Sequence, residues 1–369
     1  MMTVADVERI MQEWAPSWAA MEKDNVGLQL GQRKQRVSKI MIALEITDTI
    51  VAEAIKKKID LVLTHHPPFF HPAASITDSD QTGKNILALA RNQIAIYAAH
   101  TNLDFTRHGV SFVLADMLGL DNVRFLSPLK GTLSKIVVFV PSSHVEQVAQ
   151  EMSNAGAGII GNYDSCSFRV EGTGTFHGGD DSHPSLGKRG TFERVNEVRL
   201  EMVVPSAGMS SVVKALKQSH PYEEVAFDIY PTETPNANFG MGAIGTLDRE
   251  LTLQSFLRKC KQALSAQSLR FTGDRRAKVK TVAVCGGSGS DLLEAAIHGE
   301  ADIFVTADVR YHTFHSARGR IALVDAGHWE TEHGILNPMR ARLRNAAERM
   351  NQKVSIIVAQ TSTNPVQSI

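Results

Sequence analysis

Short runs of aliphatic and β-branched residues alternate along this chain with stretches whose apolar positions recur at helical spacing. From Arg36 the pattern predicts a strand over 38–44, a helix over 47–58, and strands over 61–64 and 94–98. A β-α-β-α order of this kind predicts a largely parallel sheet covered by helices. After Asn236 the alternation resumes, with a helix over 253–266 and strands over 281–285, 303–306, 321–324 and 354–358. We therefore expect one α/β domain, three layers (α/β/α) around a mainly parallel sheet, split between residues 1–128 and 236–369. Residues 129–235 interrupt it as strand 134–141, helix 144–154, strands 165–175 and 193–204, helix 209–219 and strand 225–230, the β-α-β-β-α-β order of a ferredoxin-like α+β insert. Its central connection, 177–190, is rich in Gly, Asp, Ser and Pro, so His177, Asp180, Asp181 and His183 read as solvated loop residues.

Composition narrows the function classes. An apolar fraction of 43% with 21% charged residues over 369 positions belongs to a cored globular protein. Lys and Arg number 39 and Asp and Glu number 39, so no net field draws the chain to nucleic acid or an anionic membrane. Cys166, Cys260 and Cys285 lie far apart and form no C-x-x-C pair, which argues against a disulfide framework or a thiolate zinc site and fits a reducing cytoplasm. The opening residues carry no basic-then-apolar leader, and no run approaches the roughly 18 apolar residues of a membrane span.

Loops leaving the carboxyl ends of parallel strands gather along one sheet edge, where such folds place their sites. Here those ends deliver His65-His66-Pro67-Pro68, His100 through Asp104, Gly286-Gly287-Ser288-Gly289-Ser290, Ala307-Asp308 with His312 beyond, and Asp325-Ala326-Gly327-His328. A single histidine after a strand is usually a loop residue with a water or backbone partner. Five such groups at one edge are a different matter. His328 and Glu332 stand four apart at a helix start and share its face. Together His65, His66, Asp104, His328 and Glu332 offer imidazoles and carboxylates without thiolate, a set suited to zinc first, and also to manganese, iron, cobalt or nickel. It exceeds what one tetrahedral ion needs. Two divalent ions bridged by a carboxylate use it more fully, with Asp104 the expected bridge.

Other features are weaker. The turn at Gly287, Ser288 and Gly289 resembles a phosphate cradle but lacks the Walker lysine and a full G-x-G-x-x-G, and tight strand-to-helix packing explains it equally well. With no Lys or Arg beside it in sequence, Cys285 reads as a buried small residue.

These residues resemble a known family. Asp24-Asn25-Val26-Gly27-Leu28-Gln29-Leu30-Gly31, Thr64-His65-His66-Pro67, His100-Thr101-Asn102-Leu103-Asp104, Thr306-Ala307-Asp308 with Tyr311-His312, and Gly327-His328 with Glu332 look like the GTP cyclohydrolase 1 type 2 homologue family, also called the Ngg-interacting-factor-like family. The likeness spans nearly the whole chain. Within the insert, Gly172-Thr173-Gly174-Thr175-Phe176 and His220-Pro221-Tyr222-Glu223-Glu224-Val225-Ala226 resemble the PII/CutA-like domain of its longer bacterial members. The resemblance implies a dinuclear site on the same five ligands, with His100 and His312 lining it, and a ring-shaped homohexamer capped by the inserts. Glu45 stands where Asp is common, and Ala307 where Gly is common.

Two functions follow as expectations. One is a metal-dependent hydrolase, opening the guanine ring of GTP or cleaving phosphoesters, in which His100 or His312 shuttles a proton and the glycine turn contacts phosphate. The alternative is a non-catalytic regulatory or metal-handling assembly whose insert senses a small molecule or binds a partner. Binding of nucleic acid within a ring ranks last.

Overall fold

The computed structural model describes residues 1–71 and 73–367; residues 368 and 369, which end the last predicted block, lie outside the described residues. The chain gathers into two units, Met1–Ser127 with Phe239–Ile369, and Pro128–Asn238. No helix among the described residues is long and apolar enough to cross a membrane.

The first unit holds two mixed sheets, not the single mainly parallel sheet that the alternation predicts. In one, Ser355–Val358, Lys39–Ala43, Leu61–Thr64 and Ala95–Ala98 lie parallel in that order, and Gly27–Leu30 closes the edge antiparallel to Ala95–Ala98. In the other, Lys278–Val284, Ile303–Thr306 and Ala322–Asp325 form a parallel trio. Arg270–Thr272 flanks it on one side, with Gly240–Thr252 and then Leu120–Pro128 on the other. Buried apolar runs reveal which segments are strands but not which share a ladder. The short edge strands Gly27–Leu30 and Arg270–Thr272 carry no such run. Within the second sheet, Gly240–Thr252 packs closely on its neighbour through glycine, where a Cβ on Gly245 would meet the Asp121 carbonyl oxygen at 2.8 Å.

Each sheet is covered on both faces, which is why its central strands are apolar and buried along most of their length. Period-two alternation sends Ile40, Ile42, Leu61, Leu63 and Tyr97 to one face, against helices Val4–Gln12 and Leu336–Arg349. Met41, Ala43, Val62 and Ile96 face the other way, against helices Asp48–Lys57 and Gln81–Arg91. Likewise Val282, Val284, Val305 and Val324 pack on helices Val110–Met117 and Leu253–Ala263, while Ala283, Phe304 and Leu323 meet helix Leu293–His298.

The second unit is a four-stranded antiparallel sheet in the order Phe227–Thr232, Leu133–Pro141, Phe192–Pro205, Phe168–His177. Helices Val145–Asn154 and Met209–Ser219 cover one face through Val148, Met152, Val212 and Leu216.

Candidate metal centre

Because Leu61–Thr64 is buried on both faces, the residues that leave its carboxyl end remain inside the protein. His65 is fully buried and His66 nearly so. The His65 Nδ1–H donates to the Ala99 carbonyl at 2.8 Å, which leaves Nε2 as the ring's lone-pair nitrogen. That Nε2 is buried without a hydrogen-bond partner and lies 3.6 Å from Asp104 Oδ1, itself buried and unpartnered. Asp104 ends the one-turn helix Thr101–Asp104, capped by His100, so the two residues stand i,i+4 on one face. From the second sheet comes the helix His328–Glu332, which begins after Gly327 at φ 93° and presents His328 and Glu332 one turn apart.

Glu332 occupies the middle of the cluster. Its Oε1 lies 3.2 Å from His328 Nε2 and 3.8 Å from His65 Nε2, and its Oε2 lies 3.1 Å from His66 Nε2. His66 Nε2 and His328 Nε2 approach to 3.4 Å. Ligand atoms on one tetrahedral ion with bonds of ~2.0–2.1 Å stand about 3.3 Å apart, so these separations are also those of donors that share an ion. His65 Nε2, a lone-pair nitrogen, and Asp104 Oδ1 are buried together without a hydrogen-bond partner, a need that a shared cation would meet. The donor set therefore fits divalent metal. Among the described residues, two groups could hold an ion, His65 with His66 and His100, and His66 with His328 and Glu332. Glu332 rather than Asp104 takes the central position expected of the bridge, because three imidazoles surround it whereas Asp104 reaches His65.

The imidazoles have outer partners, a role the sequence reading did not assign to any carboxylate. Asp24 accepts from His100 Nδ1 at 2.9 Å, Asp308 from His328 Nδ1 at 2.6 Å, and Glu45 lies 3.6 Å from His66 Nδ1. Carboxylates behind ligating histidines fix the tautomer and raise ligand basicity. A usable signal existed: each candidate ligand histidine needs an acceptor for its second nitrogen. Although burial opposes ionisation of Asp24, hydrogen bonds from His100 and Thr101 hold its carboxyl at about 2. Burial likewise opposes a charged His66, yet Glu332 and Glu45 outweigh it and raise the imidazole to about 10; hydrogen bonding to Glu332 lifts His328 to about 9. Without metal both rings are imidazolium at neutral pH. Stability from these raised groups is full below their ordinary value of 6.5 and is lost as pH climbs through about 9 and 10. Metal must displace the same protons, so its affinity rises over that window. Melting of chelator-treated protein should therefore fall in temperature from pH 6.5 to 10, while the increment from added zinc grows; parallel curves with and without metal would contradict this.

The glycine turn plays a different part from the expected phosphate contact. Gly286, Gly287 and Gly289 donate their N–H groups to the hydroxyls of Ser111, Thr331 and Thr306, and Ser288 donates its hydroxyl to Asp308. Those amides point into the protein instead of toward an anion. At Gly287, with φ +61°, a Cβ would stand 2.2 Å from Glu332 Oε1, so its smallness lets the turn close over the carboxylate. Burial, with the charges of Asp104 and Glu332, pushes the Cys285 thiol up to about 12, which keeps it protonated and no nucleophile. His312 is not brought into the cluster. It is exposed on helix Tyr311–Ala317 with Tyr311 and His315 as ring neighbours, because Asp308 at φ 53° turns its carboxylate to His328 before that helix begins.

A cavity of about 510 Å³ opens beside His66 and His328, with Glu45, Asp308, Asp325 and Glu330 in its wall. Its one guanidinium, Arg270, is held by Asp325.

A family model described as Duf34/NIF3 (NGG1p interacting factor 3) matches residues 2–365. A GTP cyclohydrolase 1 type 2 homolog of Bacillus subtilis is 38% identical over 359 residues, 97% of this chain and 96% of its own. Another, of Mycobacterium leprae, is 38% identical over 335 residues, 89% of this chain and 86% of its own. Among solved structures, the Bacillus cereus protein related to NIF3 superposes with a TM-score of 0.87 at 37% identity, covering 100% of this chain and 99% of that one. Staphylococcus aureus protein SA1388 gives 0.81 at 28% identity with the same coverage.

Proposed function

The chain belongs to the Duf34/NIF3 family, and from that premise we propose that it is a metal-dependent hydrolase built on a pair of divalent ions. The observation that carries this reading is the buried, unpartnered pair His65 Nε2 and Asp104 Oδ1 beside a carboxylate, Glu332, ringed by three imidazoles. His66, His328 and Glu332 would hold one ion, and His65, Asp104 and Glu332 the other, with zinc the first candidate. When bound, such a pair lowers the pKa of water toward neutrality and polarises the group under attack. His100, anchored through Nδ1 on Asp24, presents its other nitrogen for proton transfer, and the cavity beside His66 and His328 admits the substrate.

That cavity bears on the substrate. Four carboxylates face one guanidinium already engaged by Asp325, so a triphosphate would find no clamp among the protein groups. Opening of the guanine ring, as the relatives' name suggests, would rest on recognition of the base. We expect metal-loaded protein to cleave a small phosphoester or cyclic amide well above a His65→Ala/Asp104→Ala control; equal rates across a broad screen would reject the hydrolase reading. Asp24→Asn should slow turnover by loosening His100, whereas Asp308→Asn, behind the ligand His328, should weaken metal by about 10–100-fold, the range for outer partners. Chelator competition checks the second part.

A second reading, a regulatory assembly, is favoured by the element order of the unit Pro128–Asn238, which suits a ferredoxin-like, PII/CutA-like module. It goes with a homohexamer, for which light scattering should give six times the 40.3 kDa chain mass.

A further inference from the structure

We propose that the second unit carries its own binding site, a cavity that takes an organic cation, an amine or guanidinium borne on an apolar body. The helices of this unit cover only the face of the sheet bearing Val138, Val140, Val198 and Leu200. By period two, Phe139, Glu197 and Arg199 lie on the opposite face, where Arg199 pairs with Val170 and Glu197 with Gly172 on the edge strand. That face is hollow because two of its positions are glycine. A Cβ on Gly174 would stand 2.0 Å from Glu197 Oε2, so the carboxylate occupies the room the missing side chain leaves; a Cβ on Gly172 would meet nothing within 4 Å.

Over the hollow lies a cavity of about 630 Å³, within the range that encloses a small organic ligand. The two insert motifs and the irregular loop noted in the sequence converge on it. His220 donates from Nε2 to the Phe139 carbonyl and accepts the Tyr222 N–H at Nδ1, which fixes the segment so that the Tyr222 hydroxyl donates to Glu197 Oε1 at 2.8 Å. Glu223 accepts the His183 N–H at 2.7 Å and so latches the loop holding Pro184 and Leu186 over the opening.

Charge and shape select the ligand class. Glu197, which is nine-tenths buried, is joined by Glu223 and Glu224 in the lining, while the one guanidinium, Arg199, donates to Glu201. An anion is disfavoured. Phe139, Phe176 and Tyr222 supply aromatic faces suited to a cation carried on an apolar body.

The test uses the full-length, metal-loaded protein, titrated by calorimetry with phenethylamine, its carboxylate counterpart phenylacetate, ATP and zinc chloride beyond the metal-centre stoichiometry. The expected result is saturable binding of phenethylamine, at least tenfold tighter than phenylacetate or ATP. Glu197→Gln should weaken it at least tenfold. Gly172→Leu, which fills open space without a strained backbone, should abolish it, and both variants should keep the wild-type melting temperature and metal content. Failure of phenethylamine to bind, tighter binding of phenylacetate, ATP or extra zinc, or full binding in folded Gly172→Leu would overturn the proposal. Metal analysis of the same samples reports separately on the proposed hydrolase centre.

Discussion

Replacing Glu332 by Gln should strip the metal centre while leaving the fold in place. The amide keeps the size of the carboxylate but cannot balance the charge that three surrounding imidazoles and their ions bring together. Glu332 is buried, and burial would by itself raise its pKa, yet His65, His328 and His66 hold it well below the ordinary carboxylate range. We expect metal affinity to fall by more than the roughly 10–100-fold that loss of an outer partner costs, because Glu332 is the side chain that would serve both ions. Metal analysis after dialysis, with chelator competition, measures this directly. In the variant His66 and His328 should also titrate nearer their ordinary 6.5, since Glu332 is a main cause of their elevation. Retention of wild-type affinity would remove Glu332 from the centre.

Gly287→Ala should do nearly as much damage although glycine supplies no ligand atom. The added methyl would sit 2.2 Å from Glu332 Oε1, and the φ of +61° already disfavours any side chain. Either Glu332 rotates out of the cluster or the turn moves and loses the Gly287 amide bond to Thr331 at 3.0 Å. Overpacking of this kind costs about 1–3 kcal/mol. The expected outcome is a lowered melting temperature together with metal loss close to that of Glu332→Gln. Thermal melts beside metal analysis check both. An Ala variant with full metal content would mean that the turn does not shape the centre.

The parts legible in the sequence share a physical cause. Leu61–Thr64 and Ile303–Thr306 are buried on both faces, so each is an unbroken apolar run, and whatever follows such a run emerges at the same sheet edge. His65, His66 and His328 could be read that way, and Glu332 followed from its helical spacing to His328. Division into two sheets was not legible. It depends on edge strands such as Gly27–Leu30 and Arg270–Thr272, which are short and only half buried. The outer carboxylates were hidden for a related reason. Asp24 reaches His100 from 76 residues away only because Gly27–Leu30 pairs with Ala95–Ala98, and Asp308 reaches His328 through a left-handed turn. The part played by Gly287 stayed open because glycine richness near a helix start signals either an anion cradle or close packing, and only the hydrogen bonds of its amides favour one of them.

The central claim is that this chain holds two divalent ions on His65, His66, Asp104, His328 and Glu332. Anomalous diffraction at the absorption edge of the native metal tests it most directly. The prediction is two peaks per chain, one against His66 and His328 and one against His65 and Asp104, both touching Glu332 and both absent from Glu332→Gln crystals. A single peak, peaks remote from these side chains, or an unchanged pair in Glu332→Gln would contradict it.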